Sequence, residues 1–325
     1  MQIPRRSFLH LAAAAAAPPT VSRVARAQAY PSRPVRTVVT FAAGAANDVN
    51  GRLIAQWLSE RLRQPFIVEN RPGGGGNIGA AEVIRSRPDG YTLLFLSISH
   101  SINQNFYKDL PYNIVRDITP IGSLFRASYV MVVNPSVPAK SIPEFIAYAK
   151  ANPGKINMGS QGIGSIGHLA GEFFKLLTGI EMVHVPYRSS ALALAEVVSG
   201  QMHVQFATST DSVPQVRSGH VRALGVSSAN RSSALPDVPT IAESVPGFEF
   251  ESWAGFAGPR NIPREIVDVL NREINAGLAQ PHIKTRFDDL GLRTYAASPD
   301  EFSKFIATDV EKWAKVMKAA GINPI

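Results

Sequence analysis

The sequence of 325 residues contains no cysteine, so it forms no disulfide and no thiolate metal site, and a thiol nucleophile is excluded. It also lacks a long apolar run. The alanine-rich stretch at residues 11–17 is much shorter than the ~20 apolar residues that cross a bilayer, and no later stretch is long enough. Stability must therefore come from burial, and a chain of this length can bury one large core or divide into two.

The first 29 residues are predicted to be an export signal that is cleaved from the mature chain. They combine a basic start, a short apolar stretch and two small-x-small sites, so cleavage would follow Ala27 or Ala29. Arg5 and Arg6, followed by SFL, fit the twin-arginine pattern. A general-secretion signal and an uncleaved membrane anchor are the alternatives. We therefore expect a periplasmic protein.

Little net charge remains once this signal is removed. The formal charge falls from +8 to +4, because the signal contains four arginines and no acids and leaves 29 basic residues against 25 acidic ones. No run of lysine and arginine is interleaved with aromatic residues, so we expect no nucleic-acid partner. The histidines have no metal-like spacing, and we expect no metal and no cofactor. A small positive charge suits an anionic small molecule bound by a monomeric chain.

Strand-like and helix-like runs alternate along the chain, which is typical of βαβ units. The run VRTVVTF precedes a helical segment, and the pattern continues through PFIVEN, YTLLFLS, SYVMVVN, KINMGS, MVHVPY, MHVQFAT and RALGVSS. Helices are predicted near residues 80–85, 212–218, 263–279 and 299–320. Ser141 with Glu144, and Ser298 with Glu301, predict capping boxes at two helix starts.

The segment after residue 228 is rich in proline and polar residues and contains one strand-like run around residues 250–257, so it is interpreted as a return connection. We therefore predict an α/β fold of two lobes, each a mainly parallel sheet flanked by helices. Two crossing strands, near residues 129–134 and 250–257, would join lobe 1 (residues 30–128 and 254–325) to lobe 2 (residues 129–253). A ligand would lie in the cleft between them. One large doubly wound sheet is the alternative.

The spacing G-x-G-x-x-G occurs twice, in RPGGGGNIGA and in GIGSIG. A dinucleotide fold needs an acidic residue at the end of the following strand, and neither YTLLFLSISH nor MVHVPY supplies one. The simpler reading is that glycines let backbone amides approach an anion at the amino end of a helix. For the four-glycine run, a sharply bent loop that needs glycine only for its geometry is the alternative.

Two loops are predicted to hold the anion. In FAAGAAND, Gly44 and small alanines permit close backbone approach, Asn47 is expected to cap the next helix, and Asp48 lies in its first turn, where it favours the helix dipole. In SQGIGSIG, Gly162 and Gly164 are expected to expose amides, while two serines add hydroxyl donors and a helix begins near residue 165.

Several long phrases of the sequence are similar to one known family. They are YPSRPVRTVVTFAAGAANDVNGRLIAQWLSERLRQPFIVENRPGGGGNIGAAEVIRSRPDGYTLLF, SVPAKSIPEFIAYAKANPGKINMGSQGIGSIGHLAGEFFK, HVPYRSS, VRALGVSSANRSSALPDVPTIAES and EKWAKVMKAAGI. In this order they resemble the Bug (TctC) family, the periplasmic solute-binding proteins of tripartite tricarboxylate transporters. The resemblance covers essentially the whole mature chain. It implies a Venus flytrap fold of type II that closes on a small carboxylate and delivers it to a membrane permease.

The resemblance also implies that the family's two ligand loops fall on residues 42–48 and 160–166. This sequence departs from the family at Ala43, where proline is usual, at Ala45, where a second glycine is common, and at Ala207, where relatives often carry aspartate. The loss of that acid argues against an amino-acid ligand. The predicted ligand-binding residues are Ala43, Gly44, Ala45, Asn47, Asp48, Ser99, His100, Ser160, Gly162, Gly164, Ser165, Ile166, Tyr187 and Thr208.

An enzyme is the rival class, and the motifs argue against it. A secreted serine hydrolase would carry G-x-S-x-G, but the nearest stretch, MGSQG, has Met158 where the first glycine belongs. His168, one turn into the second helix, is expected to orient the loop rather than to act as a base. Trp253 is expected to be buried against the hinge. A receptor that feeds a signalling partner is the remaining alternative to a transport function.

Overall fold

The computed structural model describes residues 30–319 and 321–325, so the predicted export signal lies outside the described residues. The first part of the chain contains β1 (Val35–Val39), α1 (Ala46–Leu62), β2 (Phe66–Asn70), α2 (Asn77–Ile84), β3 (Thr92–Ser97), α3 (Ile98–Phe106) and β4 (Ile118–Ala127). The middle part contains β5 (Tyr129–Val133), α4 (Ile142–Ala151), β6 (Asn157–Ser160), α5 (Ile166–Thr178), β7 (Val183–Pro186), α6 (Ser190–Val198), β8 (Val204–Thr208), α7 (Ser209–Arg217) and β9 (Arg222–Val226). The last part contains β10 (Ser252–Pro259), α8 (Arg264–Leu278), α9 (Pro281–Asp289), β11 (Leu292–Thr294) and α10 (Pro299–Ala319).

The strands form two separate sheets, which excludes the alternative of one large sheet. Lobe 1 has the order β11-β4-β10-β3-β1-β2, and lobe 2 has the order β7-β6-β8-β5-β9. The first and last parts of the chain build lobe 1, and the middle part builds lobe 2. Because β5 lies wholly in lobe 2 and β10 wholly in lobe 1, the chain crosses at residue 128 and again just before residue 252.

Both sheets are mixed: most strands of each sheet run in one direction, as predicted, but each sheet also contains at least one reversed strand. In lobe 1, β1 pairs parallel with β2 and β3, but β10 pairs antiparallel with β3 and β4. In lobe 2, β6 pairs parallel with β7 and β8, but β5 pairs antiparallel with β8 and β9. Three strands are reversed: β5 and β10, which each follow a crossing, and β11, which pairs antiparallel with β4. The first two enter their sheets at the edge where the parallel strands end, as the pairs Tyr129↔Thr208 and Ala254↔Ser97 show, and so run backwards.

Helix starts agree well with the sequence, whereas several other elements do not. Ser141 Oγ accepts a hydrogen bond from the Glu144 amide, and the Ser298 amide donates to Glu301 Oε2, so both predicted caps are confirmed. The sequence analysis missed β4, α9 and β11, and it missed α3 because YTLLFLSISH looks like a single strand. In the structure the strand stops at Ser97, and α7 begins three residues earlier than predicted.

One apolar cluster continues from lobe 1 into lobe 2. At the hinge, the ring of Phe250 contacts those of Phe248 and Trp313, with centroid distances of 5.7 and 5.8 Å. Trp253 is buried as expected, and its Nε1 donates to Asp309 Oδ2 at 2.9 Å. In the part of the chain that the structure describes, no helix combines the length and apolarity that a bilayer span requires.

Candidate functional site

The predicted loops lie on two edges that face each other across the lobes. Loops after β1, β2 and β3 meet at one edge of lobe 1, and loops after β6, β7 and β8 meet at one edge of lobe 2, because parallel strands end on the same side of a sheet. The two edges touch where α3 ends. A methyl group built at Gly164 would lie 2.6 Å from the ring of Phe106 in lobe 1.

The first loop, residues 42–48, enters α1 without a side-chain cap. The N-cap residue is Ala45, with φ −67° and ψ 158°, so the prediction that Asn47 caps the helix is wrong. Asn47 lies instead inside the first turn. Ala43 and Gly44 are exposed, and Gly44 has a φ of +80°, a conformation that glycine adopts without strain.

Asp48 stabilises the conformation of this loop. Its carboxylate accepts hydrogen bonds from the Gly44 amide at 2.8 Å, from Arg52 Nε at 3.0 Å and from Asn70 Nδ2 at 2.8 Å. Burial alone would raise the pKa of Asp48, but the bonds from Arg52, Gly44 and Asn70 hold that pKa below its usual value. The side chain is buried and its oxygens are occupied. In this structure Asp48 therefore holds the loop in shape, which is its structural role.

His100 is fully buried and does not line the cleft. Its Nδ1 accepts from the Ser97 amide at 3.1 Å, and its Nε2 lies 3.3 Å from Thr40 Oγ1. The Ser97 hydroxyl and carbonyl oxygens also lie 3.3 and 3.2 Å from this nitrogen, so Nδ1 meets three atoms of the same residue. Burial lowers the pKa of His100 to about 4. His100 thus ties the end of β3 to the end of β1, while Ser99 beside it is half-buried in the first turn of α3.

The four-glycine loop is a sharply bent entry to α2. Gly74 and Gly76 have φ values of +57° and +99°. A methyl group at Gly76 would lie 2.9 Å from Thr40 Oγ1, and one at Gly79 would lie 2.9 Å from the Arg71 carbonyl oxygen. The first two glycines of the motif therefore supply a left-handed backbone, and the third allows close packing of the helix on its neighbours.

The second copy of the motif has the same geometry. Gly162 and Gly164 have φ values of +113° and +76°, and a methyl group at Gly167 would lie 2.9 Å from the carbonyl oxygen of Phe206. Both G-x-G-x-x-G stretches are strand-to-helix turns in which each glycine has a geometric reason. The spacing that suggested a dinucleotide fingerprint is explained by these turns alone.

The second loop is tied together by its own hydrogen bonds. The Gly162 amide donates to Ser160 Oγ at 3.1 Å, and the Gly164 amide donates to His168 Nδ1 at 3.1 Å. Ser165 Oγ donates to the Gly162 carbonyl at 2.6 Å and caps α5. The amides that were expected to point at an anion are thus engaged inside the loop in this structure. They make the loop rigid.

Backbone amides that lack a protein acceptor lie in the first turns of the helices that follow the two loops. Within residues 30–319 and 321–325, no protein acceptor is found for the amides of Ala46 and Asn47 in α1, or of Ile166 and Gly167 in α5. The first amides of a helix have no partner inside the helix, and they carry the positive end of its dipole. Other helix starts leave such amides as well, as at Ser190 in α6 and Ser209 in α7; those of α1 and α5 stand apart because they follow the two predicted ligand loops.

Two further predicted positions, and one departure from the family pattern, lie at the strand ends of lobe 2. The Tyr187 amide donates to the Ser160 carbonyl at 2.9 Å, which leaves the half-buried side chain beside the second loop. Thr208 Oγ1 donates to Asp211 Oδ2 at 2.8 Å and caps α7, so its hydroxyl is occupied. Ala207, where relatives often carry an acid, is fully buried in the apolar core of lobe 2.

The sequence analysis missed four residues that contact these loops or their neighbours by hydrogen bonds or packing. They are Thr40, Asn70, Phe106 and His184. None has a local signal, because each meets its partner through the fold. Among the described residues, no group of histidine and acidic side chains could hold a metal ion.

The chain is similar to known proteins over most of its length. The sequence model of the family described as "Tripartite tricarboxylate transporter family receptor" matches residues 51–322. BugT of Bordetella pertussis is 34% identical over 298 residues, 91% of either chain. A solved R. palustris protein with adipate is 36% identical, with a TM-score of 0.83 over 91% of this chain and 100% of that one.

A second solved structure adds another small acid. MatC from Rhodopseudomonas palustris, with bound malate, is 30% identical to this chain and has a TM-score of 0.78 over 88% of this chain and 99% of that one. Both solved structures match about nine-tenths of this chain. The chain therefore belongs to the tripartite tricarboxylate transporter receptor (TctC, or Bug) family of periplasmic solute-binding proteins.

Proposed function

We propose that this protein captures a small carboxylate, with dicarboxylates as the first candidates, in the cleft between its lobes and delivers it to a membrane permease. The observation that carries the proposal is the pair of open helix ends. The first turns of α1 and α5 present amides without protein acceptors, one helix in each lobe. Such amides bind carboxylate as readily as phosphate, because both are oxyanions at the positive end of a helix.

Hydrogen bonds from these amides to a carboxylate provide enough binding free energy for a transport receptor. Each charge-assisted hydrogen bond contributes about 1.5–3 kcal/mol, and micromolar affinity requires about 8 kcal/mol in total. Four or five such bonds exceed that value after the cost of ordering the ligand is subtracted. The loops are already closed by Asp48 and by the Gly164–His168 bond, so the protein has little left to order.

Closure would follow from contact with both lobes. Only a ligand with different contacts in the open and closed states shifts the balance between them. In this structure, Phe106 of lobe 1 packs against Gly164 of lobe 2 beside the second loop. A dicarboxylate can reach one helix end with each acid group. The adipate and malate found in two relatives have this chemistry.

A proline scan of the helix ends tests the proposal. Proline at the first helical position removes one amide hydrogen without disturbing the helix. Ala45 has the extended backbone that a residue before proline requires, so Ala46→Pro fits the fold. We expect the mature chain to bind adipate or malate with micromolar affinity in titration calorimetry. The loss of one charge-assisted bond in Ala46→Pro should weaken that affinity roughly 10- to 100-fold.

A matched variant controls for the effect of proline itself. Arg264→Pro changes the first position of α8, and the preceding Pro263 also has an extended backbone, with ψ 136°. This helix follows the far end of β10, which pairs with the amino-terminal end of β4 and so lies away from the cleft. Arg264→Pro should leave affinity unchanged. If neither citrate, adipate, malate, nicotinate nor glutamate binds, or if both variants lose affinity equally, the proposal is wrong.

A further inference from the structure

Two histidines from different elements meet directly behind the second loop. His168 in α5 and His184 in β7 are stacked, with ring centroids 3.9 Å apart and an interplanar angle of 25°. His184 Nε2 lies 2.6 Å from Ser160 Oγ, and His168 Nδ1 accepts from the Gly164 amide at 3.1 Å. Each ring therefore holds one end of the turn between residues 160 and 164.

The hydrogen bond to Gly164 determines the protonation state of His168. A backbone amide is only a donor, so Nδ1 must be unprotonated and the single ring proton must lie on Nε2. A second proton, on Nδ1, would remove the acceptor of the Gly164 amide and oppose its hydrogen. The turn as described is therefore compatible with neutral His168 alone.

We propose that His168 and His184 are positioning residues that must both be neutral to hold the ligand loop, so that acid weakens ligand binding by releasing the Gly164 turn. This inference rests on the proposed function of the loop. It adds a residue from the neighbouring strand to the site and gives the binding affinity a pH dependence that comes from the protein rather than from the ligand.

The surrounding charges agree with a neutral pair. Burial, with the charges of His168 and Lys175 acting in the same direction, lowers the pKa of His184 to about 4. Burial also lowers the pKa of His168, against the opposing effect of Glu172. Glu172 lies 3.8 Å from His168 Nε2, but its other oxygen is 2.8 Å from Lys175 Nζ, which offsets its charge. Two cations stacked at 3.9 Å would repel each other strongly.

The sign of the pH effect follows from these shifts. The unfolded chain binds protons on both histidines below about pH 6.5, whereas the folded chain resists protonation until a lower pH. Stability of the loop therefore falls as the pH decreases from 6.5 towards 4. Since the acid groups of a carboxylate ligand titrate in the same range, each variant must be compared with the native chain at the same pH.

Two isosteric variants distinguish the effect of ring protonation from the effect of side-chain shape. In His168→Asn the amide oxygen takes the place of Nδ1 and still accepts from Gly164, but it does not titrate. In His184→Gln the terminal amide takes the place of Nε2 towards Ser160. We expect both to bind adipate within about threefold of the native chain at pH 7.5, and the affinity of each variant relative to the native chain to rise as the pH falls from 7.5 to 4.5. His168→Leu, which leaves the Gly164 amide without an acceptor, should weaken binding roughly tenfold at pH 7.5.

A ligand-free readout keeps this test separate from the proposed function. In ¹⁵N NMR spectra of the native chain, the Gly164 amide should shift together with the His168 ring as the pH falls, and it should not do so in His168→Asn. His220→Gln, at an exposed histidine, is the control and should change nothing. If the Gly164 amide does not follow the ring, or if native and His168→Asn affinities change in parallel with pH, the inference is wrong. Failure of every carboxylate to bind at pH 7.5 would instead remove the proposed function.

Discussion

Single polar side chains in this protein mostly hold loops rather than face the ligand. Asp48, in a predicted ligand loop, and His100, at a strand end, were both predicted to bind ligand, and both use their hydrogen-bonding atoms on neighbouring backbone and side chains. Their partners are distant in sequence: Asn70 is 22 residues from Asp48, and Thr40 is 60 residues from His100. Such partners have no local pattern, so only the fold reveals them.

We expect Asp48→Asn to lower the free energy of unfolding at pH 7 by about 1–3 kcal/mol, because an amide group in place of the carboxylate opposes the donors of Arg52 and Asn70. The pKa of Asp48 is below its usual value of 3.8 in the folded state, so its stabilisation is present above that pH and is lost as the pH falls further. In urea unfolding at pH 7, 5 and 3.5, the difference in unfolding free energy between the native chain and the variant should become smaller below pH 3.8.

The exposed Asp237 provides the comparison for this effect. Asp237→Asn should leave the unfolding free energy within about 0.5 kcal/mol of native at each pH, as surface substitutions usually do. A gap for Asp48→Asn that stays constant down to pH 3.5 would mean that its carboxylate charge contributes nothing to stability.

The strand-to-helix turns explain why the two glycine motifs look alike. In each, two glycines with positive φ turn the chain and a third glycine lets the helix pack closely. Helix starts of this kind are readable from sequence, because caps and glycines act over three or four residues. The end of β3 was not readable, because an apolar run is compatible with either a strand or a buried helix.

Two glycines of one loop should differ in their tolerance of alanine. In Gly74→Ala the new methyl group lies no closer than 3.7 Å to any neighbour. The only loss of stability comes from the left-handed backbone conformation and is about 1–2 kcal/mol. Gly76→Ala has the same kind of conformation but also forces its methyl group to 2.9 Å from Thr40 Oγ1. We expect Gly76→Ala to be less stable than Gly74→Ala by at least about 1 kcal/mol in urea unfolding. Equal losses would show that Thr40 moves aside at no cost.

The arrangement of the two lobes depends on contacts that no single lobe contains. Phe106 and Gly164 touch across the cleft, and Phe250 and Trp313 pack at the hinge. Because the contact at Gly164 leaves no room for a methyl group, the closeness of the lobes depends on this glycine. A substitution there changes closure as well as the loop, so loss of binding alone would not identify Gly164 as a ligand contact.

Gly164→Ala should hinder closure. Its control is Gly154→Ala, because both glycines have a positive φ, +76° and +70°, but a methyl group at Gly154 meets nothing within 4 Å. We expect Gly164→Ala to weaken adipate binding at least tenfold more than Gly154→Ala and to enlarge the radius of gyration in X-ray scattering. Adding Phe106→Leu should restore part of the affinity by making room. If both alanine variants bind alike, the contact does not control closure.

Most helix starts, most strands and the two-lobed α/β fold were determined by sequence alone, and the two ligand loops were predicted from it, because caps, glycine turns and apolar periodicity act over a few neighbouring residues. The mixed pairing of the sheets, the burial of His100, the engagement of Asp48 and the stacking of His168 on His184 were decided by the tertiary structure. Each of these depends on a partner brought from tens of residues away, and the direction of β5 and β10 depends on the edge at which a crossing chain enters its sheet.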